Sequence, residues 1–577
     1  MTVAQESPGK NHRSWHRRAS RPVTIWLVII VLVGLSHSAI PEYRWVLIHT
    51  FTLGAVTNSI VVWSQSFTEK FLHQRLPDSA RPWQLRKVWL LNLGIVGVLA
   101  GQIAGVLPLT HAGAAVVALA LLWHACALSA QLRRALRTQP DRVYRLLPSV
   151  LGYVASALSL TAGAVIGALL AAGAKDSPDS SAAADLHDRL LQAHLILNVL
   201  GFLGLAAAAS LTVFFPAIWR SRPTPSSWSR AWPWGSLLLH LGGLIAAVAG
   251  ALVGKPWLTG GALVVYALGW LLSCVAWAPL VARAGLRKAT YGSLSVTAAV
   301  LWLLGCLLWF AAQVFRHGSQ AALPTTALLV GFGGQLLIGM MSYLLPITMR
   351  VRSAWGLRET YRGGMVRLTL TNGGLILWLV AEYSWLRVGA SALAFLGLVA
   401  FLPLMVRAVR AQTGCTAATA DNTDAPRPEI PDARGSSGQV ALGVSLLALL
   451  VALCGGLDGP GGATPPPASV SDTASTTAEK NVTRVKVTAG DMVFEPASVT
   501  VPSGNRLIIE LLNGDSQAHD LKLTNGARSG RLTPGKTTEI DAGVITADVP
   551  GWCTIAGHHA KGMTFDVIVA PEAPAAP

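Results

Sequence analysis

The chain has 577 residues, of which 52% are hydrophobic and only 13% charged, and its formal net charge is +17. Soluble globular domains carry about 25% charged residues, so a wholly soluble protein, a disordered chain and a coiled coil are excluded. Six cysteines in this length exclude a disulfide scaffold. The basic excess would suit nucleic acid, so its place along the chain decides its meaning.

Residues 1–21 form a basic tail. Apolar runs of spanning length, about 20 residues each, then recur. They read as 23–41, 45–64, 88–108, 112–132, 146–173, 190–214, 234–254, 257–280, 291–314, 323–346, 365–384, 389–406 and 438–456. The sequence therefore predicts a twelve-helix membrane domain over 22–408, a polar linker over 409–437 and a thirteenth helix over 438–457. No repeat of fixed period is visible. With the N-terminus placed inside, the alternate segments on that side carry +21 in all and the rest of the chain −4, which together make the net +17. That asymmetry obeys the positive-inside rule. The basic charge is thus a topology signal, nucleic acid is not expected as a partner, and the lipid bilayer is. With thirteen spans the C-terminal part lies outside the plasma membrane.

A Pro/Gly/Thr-rich linker over 458–481 leads to a β-patterned segment over 482–570 and a short tail over 571–577. VTRVKV (482–487), SVTV (498–501), RLIIELL (506–512), HDLKL (519–523), TTEI (537–540) and TFDVIV (564–569) read as strands. Turn signals fall at Pro502-Ser503-Gly504, Asn513-Gly514 and Pro534-Gly535. Strands this short, at this spacing, predict an antiparallel sandwich. Within it stands Cys553-Thr-Ile-Ala-Gly-His558-His559-Ala-Lys-Gly-Met563, with His519 upstream. One thiolate, two imidazoles and one thioether are the soft donor set of a type 1 copper centre. Between the two adjacent histidines the spacing favours His558 as the ligand and leaves His559 at the rim.

These segments, with MVFEPASVTVPSG (492–504) and SQAHDL (516–521), resemble the cupredoxins. The resemblance implies a Greek-key β-sandwich holding one copper through His519, Cys553, His558 and Met563, and exchanging electrons with a small redox donor or acceptor. A binuclear site would need a second cysteine in the loop, and a copper-to-copper relay a histidine beside Cys553. The neighbours are Trp552 and Thr554. The domain alone reads as a carrier. No catalytic residues stand out, and any enzymatic step would be an oxidoreductase one.

Ionisable groups inside a span are costly and point to function. His49 and His194 fall in the outer third of their spans and His240 nearer the midplane. These three are the candidate ligands for a haem or second copper in the bundle. Asn198 stands one turn from His194 on the same face. HTFTLGAVTNSIVVWS (49–64), HLILNVLGFLGLAAAASLTVFFP (194–216) and GFGGQLLIGMMSYLLP (331–346) resemble actinobacterial membrane-anchored copper-oxidase or nitrite-reductase-like proteins. More distantly they resemble the haem-copper oxidases and NnrS proteins. The expected fold is an all-α polytopic bundle of twelve helices plus one, followed by an all-β sandwich. The expected function is membrane-bound copper redox chemistry, the alternatives being copper handling or sensing, or a subunit of a copper oxidase or nitrogen-oxide reductase.

Overall fold

The computed structural model describes residues 15, 18–36, 40, 43–139, 143–144, 146–173, 181–223, 227–349, 352–381, 384–418, 428–457, 482–515, 517–555, 558–559 and 562–570. The linker over 458–481 lies outside the described residues. The helical region consists of α1 (Arg21–Leu35), α2 (Tyr43–Phe71), α3 (Arg81–Ile103), α4 (Leu107–Thr138), α5 (Leu147–Gly173), α6 (Ala183–Ile218) and α7 (Ser229–Val253). It continues with α8 (Pro256–Ala284), α9 (Tyr291–His317), α10 (Ala327–Met349), α11 (Ser353–Thr360), α12 (Gly364–Val380), α13 (Trp385–Thr413) and α14 (Ser437–Leu457).

Among the described residues ten helices are long and apolar enough to cross a membrane, or eleven if α11 and α12, bent by 41°, are one span. The runs read at 23–41 and 88–108 fall below that measure among the described residues, for two physical reasons. Helix α1 has only 15 residues, or about 23 Å at 1.5 Å per residue. Helix α3 is 23 residues long but opens with Arg81, Arg86 and Lys87. Short hairpins join α3 to α4 and α7 to α8 through Gly105 and Gly254, at φ +66° and +70°. Left-handed backbone is cheap only for glycine, and a proline starts the next helix in both cases.

The helical region contains the same hydrogen-bond pattern twice, which the sequence hides. In α1–α3, Trp26 Nε1 donates to Asn92 Oδ1 (2.7 Å), Asn92 Nδ2 donates to Asn58 Oδ1 (2.8 Å) and Asn58 Nδ2 to the Gly54 carbonyl (2.8 Å). In α9, α10 and α12, Trp302 Nε1 donates to Asn372 Oδ1 (2.8 Å), Asn372 Nδ2 to Gln335 Oε1 (3.1 Å) and Gln335 Nε2 to the Gly331 carbonyl (3.1 Å). Both glycines lie in π-helical stretches, Thr50–Thr57 and Ala327–Gly334, and a third stretch, Ile196–Gly204, lies in α6. Widened turns of this kind leave backbone carbonyls for side-chain donors. A Cβ on Gly54 would lie 2.6 Å from the Trp26 ring, and one on Gly331 2.6 Å from the Trp302 ring. Gly54→Ala and Gly331→Ala are each expected to destabilise the bundle by about 1–3 kcal/mol. Gly305→Ala, with open space around its Cβ, should be neutral or slightly stabilising. Thermal melts in detergent check this, and equal melting of all three variants would refute the packing role.

The β domain has strands β1 (Val482–Gly490), β2 (Val493–Glu495), β3 (Ser498–Pro502), β4 (Arg506–Asn513), β5 (Lys522–Leu523), β6 (Thr537–Val544), β7 (Val549–Trp552) and β8 (Thr564–Ala570). One sheet runs β2-β1-β4-β6 and the other β3-β8-β7-β5. The sandwich is as expected, but it is mixed rather than purely antiparallel. β1 pairs parallel with β4 (Val482 opposite Arg506), and β3 parallel with β8 (Ser498 opposite Asp566). Sequence neighbours prefer hairpins, but here the chain changes sheet between β2 and β3, which frees the non-consecutive strands to pair parallel. Period-2 alternation in β4 sends Leu507, Ile509 and Leu511 inward. They pack with Val487, Phe494 and Phe565. Asn513 ends that inward row, fully buried, and the candidate site is built beside it.

Candidate metal centre

Two connections supply the site. The first runs from β4 to the isolated bridge His519–Leu532. Asn513 organises it, its Nδ2 donating to the carbonyls of Gln517 (2.7 Å) and Leu532 (3.0 Å) while its Oδ1 accepts from the Asp515 N–H (3.0 Å). This places Asp515 one turn before His519, and His519 Nε2–H donates to Asp515 Oδ2 at 2.8 Å. Donation from Nε2 leaves the Nδ1 lone pair of His519 free for the interior.

The second is the loop that joins β7 to β8. Cys553 directly follows β7 and Met563 directly precedes β8. The Cys553 N–H donates to the Met563 carbonyl and the Met563 N–H to the His558 carbonyl, both at 3.2 Å. The loop is therefore pinned at its base by backbone bonds, and its side chains inherit that register. His519, Cys553 and Met563 have no exposed surface and His558 has 6%.

The donor atoms converge. His558 Nδ1 lies 3.2 Å from His519 Nδ1 and 3.5 Å from Cys553 Sγ. The three ligand atoms are all within 4.8 Å of one another. Two donors each about 2.0–2.3 Å from one first-row ion lie roughly 3–4 Å apart, so these separations fit a single metal. The donor types fit a soft one. His559 is exposed, its ring 5.6 Å from that of Trp552. The spacing argument for His558 over its neighbour thus agrees with where the two rings point.

The sequence reading missed two carboxylates. Asp515 is one. The other is Asp520, which accepts from the Thr554 N–H through Oδ1 and from the Thr554 hydroxyl through Oδ2, both at 2.5 Å. This ties the chain after His519 to the chain after Cys553. Burial, with the Asp520 charge second, pushes the Cys553 thiol up to about 12. Metal binding must therefore displace a proton from sulfur. The available signal was the Asp-x3-His spacing of 515 and 519, which has meaning only once the loop is known to coil.

The candidate histidines of the bundle do not join this pattern. His194 Nδ1–H donates to the Gly163 carbonyl (2.9 Å), and its Nε2 accepts from Asn198 Nδ2 (3.0 Å). The lone pair that a metal would need is already taken. His49 Nδ1–H donates to the Trp45 carbonyl (2.9 Å), and its ring stacks on Trp45 at 3.9 Å. His240 is buried between Tyr266 and Trp270 with no hydrogen-bond partner at Nε2. Among the described residues the one group of three or more His, Cys, Asp or Glu with metal-ligand spacing is His519, Cys553 and His558. His49, His194 and His240 are therefore not brought together as one ligand set.

Residues 468–551 match the family described as a cupredoxin-like domain. That match ends two residues before Cys553, so the ligand loop rests on its own geometry. Among solved structures, the dithionite-reduced auracyanin of the photosynthetic bacterium Roseiflexus castenholzii is 18% identical, covering 15% of this chain and 97% of that one, with a TM-score of 0.15. Auracyanin B is also 18% identical, covering 17% of this chain and 94% of that one, with a TM-score of 0.15. No curated protein matches the chain. The protein carries a cupredoxin-like domain behind a multi-helix apolar region with ten or eleven candidate membrane spans.

Proposed function

We propose that this is a membrane-bound electron-transfer protein whose β domain holds one type 1 copper through His519, Cys553, His558 and Met563. The observation that carries this reading is the buried convergence of two Nδ1 atoms and one Sγ at 3.2 and 3.5 Å, with Met563 closing the same loop. Copper in such a set supplies one-electron chemistry. The protein's part is to hold the donors still. Asp515 fixes the ring of His519, the backbone bonds at Cys553 and Met563 fix the loop, and the buried core beneath excludes water. Ligands that need not move on electron transfer keep the barrier low. The exposed His559 on the ligand loop and the half-buried Trp552 at its start mark where a small redox donor or acceptor approaches.

The charge asymmetry of the helical region supports an extracytoplasmic copper domain. The second part of this reading is an electron exchange with a haem or copper centre in the bundle. His49 is the best-supported ligand there, because among the described residues its Nε2 keeps an unused lone pair, whereas the Nε2 of His194 accepts from Asn198. Metal and haem analysis of the purified full-length protein, with an optical spectrum, tests both parts. One copper per chain with an intense blue band is expected for the first, and a haem Soret band or a second metal for the second. Protein that binds copper without the blue band would overturn the type 1 assignment.

A further inference from the structure

The helical region buries a second chemical cluster, away from every candidate copper or haem ligand. Lys87 of α3, His124 of α4 and Ser64 of α2 are 3%, 1% and 2% exposed. Lys87 Nζ lies 2.9 Å from His124 Nδ1, and Ser64 Oγ lies 2.9 Å from His124 Nε2. An ammonium can only donate, so a charged Lys87 needs the lone pair on His124 Nδ1, and the Nε2–H then donates to Ser64 Oγ, whose hydroxyl faces the Val61 carbonyl at 3.4 Å.

No carboxylate bonds either of them among the described residues. The elements packed around the pair carry few other ionisable groups. On α2 Glu69 is taken by Arg81 of α3 in a two-bonded pair at 2.8 Å, which also engages Gln84. Lys70 of α2 sits over the Phe67 ring. Arg86 of α3 sits over the Trp83 ring. On α4 His111 bonds the Ala168 carbonyl, and Arg133, Arg134 and Arg137 stand two or more turns beyond His124. Tyr153 of α5 bonds Ser210. An ammonium at Lys87 would thus be buried with one hydrogen bond and no counter-charge, and an amine would be buried with the same bond intact.

Two features adjoin the cluster. Ser64 lines a cavity of about 90 Å³ where α2, α6 and α10 meet, near their π-helical stretches. Gln65, the next residue, begins a file of amides. Gln65 Nε2 donates to Gln131 Oε1 (3.0 Å), Gln131 Nε2 to the Gln74 carbonyl (3.0 Å), and Gln74 Nε2 to the exposed Thr138 hydroxyl (2.8 Å). His124, Gln131 and Thr138 are seven residues apart on one face of α4.

We propose that Lys87, His124 and Ser64 form a proton-binding site of the bundle, taking up and releasing one proton. In the empty state a Lys87 amine donates to His124 Nδ1. The incoming proton bonds to the Nζ lone pair and gives an ammonium in the same hydrogen bond. No other bond is made or broken.

The test is nuclear magnetic resonance on the full-length protein in nanodiscs, labelled with 15N at lysine Nζ and observed as pH is varied. Exposed lysines stay ammonium up to about pH 10. One further signal is expected to interconvert between ammonium and amine within that range, to vanish in Lys87→Met and to shift its midpoint in His124→Phe. Should Lys87→Met fail to fold, Lys87→Arg removes the same signal while keeping a cation. Lysine signals that all remain ammonium would overturn the proposal. So would a titrating signal that survives removal of Lys87.

Discussion

Cys553→Ser is expected to abolish the intense visible band entirely while leaving the β-sandwich folded. The band of such a site arises from thiolate-to-copper charge transfer, and no other thiol is present in the β domain. A serine hydroxyl is neither soft nor ionised at neutral pH, so the set left behind is two imidazoles and a thioether. Copper affinity should fall with the colour, because the thiolate is what selects Cu(I) and tolerates Cu(II). The stability cost is separable. Cys553 is part of the domain core, and a buried hydroxyl without a partner costs about 1–3 kcal/mol. Far-ultraviolet circular dichroism should therefore show the same sheet content with a lower melting temperature. A blue band persisting in the serine variant would refute Cys553 as the metal ligand.

The ligand loop was legible because it is local. Three of its four donors lie within eleven residues, and their chemistry does not depend on how the sheets are joined. His519 was readable because the fourth donor of such a site must come from an earlier strand. Asp515 and Asp520 were not, since their meaning depends on a coil that Asn513 organises through carbonyls up to 19 residues away. The parallel pairings β1–β4 and β3–β8 were hidden because alternation records which face a strand buries, not which neighbour it takes. Strands β2 and β7 are three and four residues long, too short for a period to show. In the helical region the apolar runs were plain, but the repeated hydrogen-bond pattern was not. Asn58 in one copy is answered by Gln335 in the other, and the shared feature is a glycine carbonyl exposed by a π-helical turn. His194 with Asn198 one turn on was visible as a pair in the sequence. The structure makes them partners of each other, which accounts for the histidine without a metal.

Asp515→Asn and Met563→Gln should move the copper potential in opposite directions. The Asp515 carboxylate accepts from His519 Nε2–H at 2.8 Å and is itself only 12% exposed, so its charge is poorly screened. It makes the imidazole a stronger donor, and the oxidised ion gains more from that than the reduced one. Loss of such an outer partner typically weakens metal binding about 10–100-fold. If the loss falls on Cu(II), the potential rises by about 60–120 mV, at 59 mV per tenfold for one electron. Asparagine keeps a carbonyl acceptor for the ring, so its orientation survives and the change isolates the charge. Met563→Gln acts at the first coordination sphere with the reverse sign. A harder oxygen donor in place of the thioether favours Cu(II) and lowers the potential. Protein-film voltammetry on the three proteins reads both shifts directly. A rise with Asp515→Asn and a fall with Met563→Gln would separate a charge effect from general loosening of the site, because loosening alone gives both variants the same sign. An unmoved potential in Met563→Gln would remove Met563 from the ligand set. An unmoved potential in Asp515→Asn would leave that carboxylate a purely structural partner of the loop.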